Sequence, residues 1–209
     1  MPRIDLNVPF SEKGTVKALG AKWDPDQKVW YVPDGLDPKP FTPWCNPSDA
    51  APSVRASGYY IAEAVRDCWK CKKDSRVYAF ILPSGFEALY VADDPQNDAW
   101  EPHDQPSTLR YITQLPQHAQ QAMRSLTPTY FKDVSRTTQT KYWVNHCEHC
   151  QALLGDFETL ETISGPFSPG TPEQAQKITL RFFNEPFASD GGYTDYDASM
   201  ELWKFMRKI

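Results

Sequence analysis

The sequence predicts an α+β chain in two parts, a small αβ module and a larger β-rich domain with a few short helices. Nineteen Pro and ten Gly are spread through 209 residues, which favours many short elements joined by defined turns over long helices. Hydrophobic residues make up 40% of the chain and charged residues 23%, enough for one ordinary core or two smaller ones and too apolar for a disordered chain. The apolar segments either alternate with period two or run for a few residues between turn signals, as strands do.

The N-terminal module spans residues 1–44. Ile4 to Val8 alternates and is closed by Pro9, which reads as a strand. Ser11 is placed to cap a helix over 12–19 with Val16 and Leu19 on one face, and Gly20 follows where a helix end needs left-handed backbone. Ala21 to Asp26 reads as a turn rich in Asp and Pro, and Val29 to Pro33 as a second strand. The expected order is strand, helix, hairpin.

The runs Asn7-Val8-Pro9-Phe10, Ala18-Leu19-Gly20-Ala21-Lys22-Trp23-Asp24 and Trp30-Tyr31-Val32-Pro33 resemble a small bacterial domain of unknown function attached to plasmid primases and other DNA-processing proteins. The resemblance implies an accessory or binding module and supplies no catalytic residue. Trp23, Trp30 and Tyr31 then have two readings. They are either the miniature core of a unit too small to fold without large aromatics, or a partly exposed shelf that stacks on bases or grips a peptide. Residues 45–57 read as a Pro-rich linker, with Phe41 and Trp44 just before it expected to dock on a neighbour. Cys45 stands there as a lone thiol.

The larger domain, 58–209, carries the strongest chemical signal, Cys68-Trp69-Lys70-Cys71 and Cys147-Glu148-His149-Cys150. Two thiolates three positions apart in a tight turn can face one ion, and two such turns supply the four soft ligands of a tetrahedral, structural Zn²⁺. Ribbon sites separate their knuckles by about 15 to 20 residues, whereas 75 residues, Lys72 to His146, lie between these. A long insertion is tolerated because each doubling of loop length costs only about 0.6 kcal/mol. The flanks 59–65, 77–82, 141–145 and 151–157 are β-prone, so each knuckle joins two strands. The arrangement resembles a rubredoxin-like or zinc-ribbon site in architecture, which names no activity. A thioredoxin-like redox pair lacks its βαβ context, and an iron–sulfur cluster is the other four-thiolate alternative. His149 is expected at the surface or packed behind the ligands, and His103 and His118 in solvent.

Between the knuckles, 86–91 reads as a strand and 116–126 as a short helix with Ala119, Ala122, Met123 and Leu126 inward. Residues 130–140 are polar enough for a surface loop. Lys177 to Phe182 reads as a strand. Asp197 or Ser199 could cap a final helix with Met200, Trp203, Phe205, Met206 and Ile209 on its apolar face.

The formal charge of −5 offers no global basic field for nucleic acid. No apolar run approaches a membrane span and Met1 to Asp5 opens no signal peptide, so a cytoplasmic protein without a membrane partner is expected. Residues 151–209 hold nine acidic and five basic residues, and Asp93, Asp94, Asp98, Glu101 and Asp104 form a local acidic stretch. A closed four-thiolate site leaves no position for water, and the common nucleotide-binding and hydrolase motifs are missing, so no enzyme is expected. The leading expectation is a zinc-stabilised protein-binding role, as an adaptor or an inhibitor neutralising a basic partner such as a toxin. The alternative is an accessory to DNA or RNA processing; Lys70, Lys72 and Lys73 beside the first knuckle, with Arg66 and Arg76, either balance the charge of the thiolates or would contact phosphate.

Overall fold

The computed structural model describes residues 4–6, 8–25, 29–37, 39–44, 52–92, 98–162, 165–193 and 198–209. Cys45, Asp93, Asp94 and Asp197 lie outside the described residues. The chain divides into two units, Met1–Ala51 and Pro52–Ile209.

In the first unit, β1 (Ile4–Leu6), β2 (Lys22–Asp24) and β3 (Val29–Val32) form an antiparallel sheet in the order β1-β3-β2. The segment read as a turn over 21–26 is thus corrected. Cross-strand pairing of Trp23 with Trp30 draws Lys22–Asp24 into the sheet, and the strand ends before Pro25. The helix also starts later than expected. The Glu12 N–H bonds to the Pro9 carbonyl at 2.9 Å, which makes Phe10–Glu12 a 3-10 turn, and α1 covers Lys13–Ala18 with Glu12 at its N-cap position. Gly20 takes φ +103° after the helix, a conformation that favours glycine. Leu6, Val16, Ala21, Val32 and Phe41 form the core, with Trp30 and Trp44 packed against it. Phe41 and Trp44 sit on a 3-10 segment, Lys39–Trp44, and the Trp44 indole N–H donates to Glu12.

The second unit begins with β4 (Val54–Ala56), inside the stretch read as linker. β5 (Tyr59–Asp67) and β6 (Asp74–Leu82) form its longest hairpin, followed by β7 (Phe86–Tyr90), β8 (Ala99–His103) and β9 (Ser107–Thr108). Next come α2 (Gln117–Leu126), β10 (Tyr130–Val134), β11 (Lys141–His146), β12 (Leu153–Leu154) and α3 (Pro172–Ala175). β13 (Thr179–Phe183), β14 (Phe187–Ser189) and β15 (Arg207–Lys208) complete it. The sheets run β15-β13-β5-β6-β9, β14-β4-β7-β8 and β10-β11-β12.

β6 explains why its sequence does not alternate. Tyr78, Phe80 and Leu82 face one core together with Tyr59, Ile61, Phe86, Met123 and Trp143, while Val77, Ala79 and Ile81 face another with Ala62, Phe167 and Leu180. A strand covered on both faces reads as a continuous apolar run. Cys68 and Cys147 belong to the second of these cores.

Three expectations need correcting. The polar stretch 130–140 is a strand at its start: β10 is an edge strand, whose outward positions tolerate charge while Tyr130 is buried. The C-terminus is no α-helix. It is a 3-10 segment, Ala198–Phe205, after which β15 lies parallel to β13, because the open edge of β13 satisfies the last backbone groups: Arg207 N–H to Ile178 O at 2.9 Å and Ile209 N–H to Leu180 O at 3.0 Å. His103 and His118 are half-buried, the first stacked on Phe86 at 4.8 Å and the second 5.9 Å from Tyr59, ring to ring.

Asp156 is 4% exposed at the start of a π-helical turn, Phe157–Glu161, and accepts the N–H of Tyr111 at 2.6 Å. Burial pushes this carboxyl up to about 7, with the Tyr111 N–H opposing and the Glu161 charge adding to the rise. A folded pKa above the unfolded one means stability from this group that is complete below about pH 4 and lost as pH rises through 7. Asp156→Asn keeps an acceptor for Tyr111. Its stability advantage over the wild type is expected to grow by about 1 to 3 kcal/mol between pH 5 and pH 8 in urea unfolding; a difference independent of pH would contradict the buried, protonated carboxyl.

Candidate metal centre

The first knuckle joins β5 to β6, and the second joins β11 to β12. Both use the same backbone device. The Cys68 N–H bonds to Lys73 O and Lys72 N–H to Cys68 O, each at 2.9 Å; in the second turn Cys147 N–H bonds to Ala152 O and Gln151 N–H to Cys147 O, again at 2.9 Å. Lys72 and Gln151 hold equivalent left-handed positions, φ 60° and 56°. Each turn therefore aims its two sulfurs to one side, and the His149 N–H reaches the Cys147 Sγ at 3.4 Å.

The four sulfurs lie within 4.8 Å of one another, with Cys68 to Cys150 and Cys71 to Cys147 each at 3.6 Å. A tetrahedral ion with metal–sulfur bonds of about 2.3 Å needs edges of about 3.8 Å, so the donor set fits one thiolate-bound ion. Cys68 and Cys147 are fully buried. Burial alone would raise the Cys147 thiol, but the N–H groups of His149 and Cys150 and the Cys68 and Cys71 thiols outweigh it and bring Cys147 down to about 6. Against the Ala152 N–H, burial and the other three thiols push Cys150 the opposite way, up to about 11, so full ionisation of the cluster needs a bound cation, and four thiolates on one dication carry a formal charge of −2.

The 75-residue insertion is bridged by contacts that do not involve a metal. Where β6 leaves the first knuckle, the Arg76 guanidinium pairs with Glu148 at 2.7 Å and the Arg76 N–H donates to the same carboxylate at 3.0 Å. Glu148 N–H donates to Ser75 Oγ at 3.0 Å, and His149 Nε2 meets Asp74 O at 2.9 Å. Trp69 Nε1 donates to Leu153 O at 2.9 Å beyond the second knuckle. Although burial pulls the other way, Arg76 holds Glu148 below the usual carboxylate range. His149 is exposed and backbone-bonded, outside the four-cysteine cluster. His146 is buried, stacks on Phe131 at 3.8 Å and meets Asp133 at 3.1 Å.

Of the basic cluster, Arg76 is committed to Glu148 and Arg66 to Thr159 Oγ1 and Asp67 O. Lys70, Lys72 and Lys73 are exposed on the first knuckle beside Trp69, which is 59% exposed. The structure brings Trp23 and Trp30 together, with ring centroids 5.6 Å apart. Tyr31 is separated from them: it follows Trp30 in β3 and so points to the opposite face of the sheet, paired with Lys22. Sequence reasoning missed Ser75, Glu148 and Trp69 as the pieces that lace the knuckles together, since their partners lie some 70 to 84 residues away.

Comparison with known proteins reaches only the first unit by family: residues 3–46 match a domain of unknown function, DUF5710. The four cysteines lie outside that match. The chain is 54% identical over 55 residues to a DNA primase TraC of Escherichia coli, covering 26% of this chain and 5% of the primase. A second Escherichia coli DNA primase TraC is 43% identical over 61 residues, 25% of this chain and 4% of that protein. The chain thus spans a small fraction of the length of these curated relatives. The primase-associated resemblance of the N-terminal module holds. No solved structure matches the chain. Among the described residues no helix is long and apolar enough to cross a membrane.

Proposed function

We propose that the chain is a non-catalytic accessory nucleic-acid-binding protein of plasmid DNA processing, with its second unit held by one structural zinc. The observation that carries the reading is the first knuckle, where exposed Trp69 stands in one turn with Lys70, Lys72 and Lys73. A flat ring offers a base a stacking face, and three ammonium groups offer phosphates a contact, without a basic charge on the whole protein. The similarity of the chain to DNA primases supports the same setting. Four thiolates saturate a tetrahedral ion and leave no position for water, which supports a structural role for the metal.

Replacing Lys70, Lys72 and Lys73 by Ala is expected to lower the slope of log affinity against log salt for single-stranded DNA by about 2, at about 0.7 for each phosphate no longer neutralised. Fluorescence anisotropy across a salt series measures this, and an unchanged slope removes the knuckle from the interface. The protein-binding reading draws on the net charge of −5, five basic against nine acidic residues after Gln151 included. A stoichiometric protein partner that survives nuclease and high salt, with no nucleic acid bound, would favour it.

A further inference from the structure

A groove of about 610 Å³ crosses the first unit, lined chiefly by Leu6, Val8, Phe10, Lys13, Trp23 and Trp30. Folding accounts for only part of that lining. Trp30 packs against the core of the unit, but Phe10 is 82% exposed and Trp23 48% exposed. The rim is cationic. Lys13 Nζ sits 3.7 Å from the centroid of the Phe10 ring, and Lys17 follows one turn on along the same face of α1. Glu12, the acid next to Lys13, is engaged by the Trp44 indole N–H.

We propose that this groove binds single-stranded nucleic acid, with the Phe10 and Trp23 rings as stacking platforms and Lys13 and Lys17 as phosphate contacts. An apolar peptide would fill the groove but would gain nothing from two lysines along its edge. A nucleic-acid strand offers a flat π-face and a phosphate at every step, so it matches both the rings and the rim. The tryptophan shelf expected from sequence thereby gains Phe10 and Lys13 and loses Tyr31, which lies on the other face of the sheet. The inference rests on the nucleic-acid reading above, but on different residues in a different unit.

The test uses the full chain and a labelled oligo-dT of about twelve nucleotides, with binding followed by anisotropy over a salt series. Phe10→Ala and Trp23→Ala are each expected to weaken binding at least about tenfold while leaving the salt slope unchanged, because they remove a stacking face and no charge. Lys13→Ala combined with Lys17→Ala is expected to lower the slope by about 1.4, for two phosphates at about 0.7 each. Phe10 lies outside the core, so its variant tests the groove even where Trp23→Ala fails to fold. Wild-type binding retained in full by Phe10→Ala overturns the groove and leaves the knuckle reading intact. No binding of oligo-dT by the wild type even at low salt overturns both. A proline-rich peptide that quenches Trp23 fluorescence where oligo-dT does not overturns the groove in favour of peptide recognition.

Discussion

Cys68→Ser is expected to destabilise the second unit by at least about 4 kcal/mol and to lower its Tm by more than about 10 °C. The magnitude follows from where the sulfur sits. Cys68 is fully buried in the core that also holds Ala62, Ala79, Ile81 and Leu180, so losing the ion removes the bonds that tie the two turns together and leaves uncoordinated thiols and a serine hydroxyl against that core. Removing the metal from the wild type with a chelator should produce the same drop, and elemental analysis should find about one zinc per chain before treatment. Cys45→Ser, which changes the cysteine outside the two Cys-x-x-Cys motifs, is the control and should leave the transition in place. A metal-free wild-type protein that melts at the same temperature would show that packing alone closes the site. Iron in place of zinc would keep the structural argument and change only the ion.

The strands flanking both knuckles were legible because their signals are local. β-prone runs marked β5 and β6, and the Cys-x-x-Cys spacing picked out the four cysteines whose sulfurs the structure brings within 4.8 Å. Elements that exist only through a distant partner were not legible. Lys22–Asp24 becomes a strand because Trp23 meets Trp30, and β15 forms because β13 leaves an open edge. The polar sequence of β10 hides a strand because this edge strand buries only Tyr130 fully and is defined by its backbone pairing with β11. The basic cluster illustrates the same limit at the site. Counted along the chain it has five members, but Arg76 and Arg66 are taken up by Glu148 and Thr159, which lie 72 and 93 residues away, and only the three lysines project from the knuckle beside Trp69.

Asn145→Leu is expected to cost roughly 3 to 5 kcal/mol and to weaken metal binding by about 10- to 100-fold. Asn145 is 2% exposed, and its amide closes a two-way pair with the Tyr78 backbone: Tyr78 N–H donates to Oδ1 at 2.7 Å and Nδ2 donates to Tyr78 O at 2.8 Å. One side chain thus imitates a ladder partner and clamps β11, which enters the second knuckle, to β6, which leaves the first. Leucine has nearly the same shape but leaves both Tyr78 groups buried without partners, at about 1 to 3 kcal/mol each. The exposed cross-link makes the useful contrast. Arg76 is 54% exposed, so Arg76→Ala should cost less than about 1 kcal/mol despite its bonds to Glu148 through both backbone and guanidinium. Urea unfolding of the two variants, with metal affinity measured by competition against a chelator, separates these outcomes. A larger loss for Arg76→Ala than for Asn145→Leu would mean that the surface ion pair, and not the buried amide, holds the two halves of the metal centre in register.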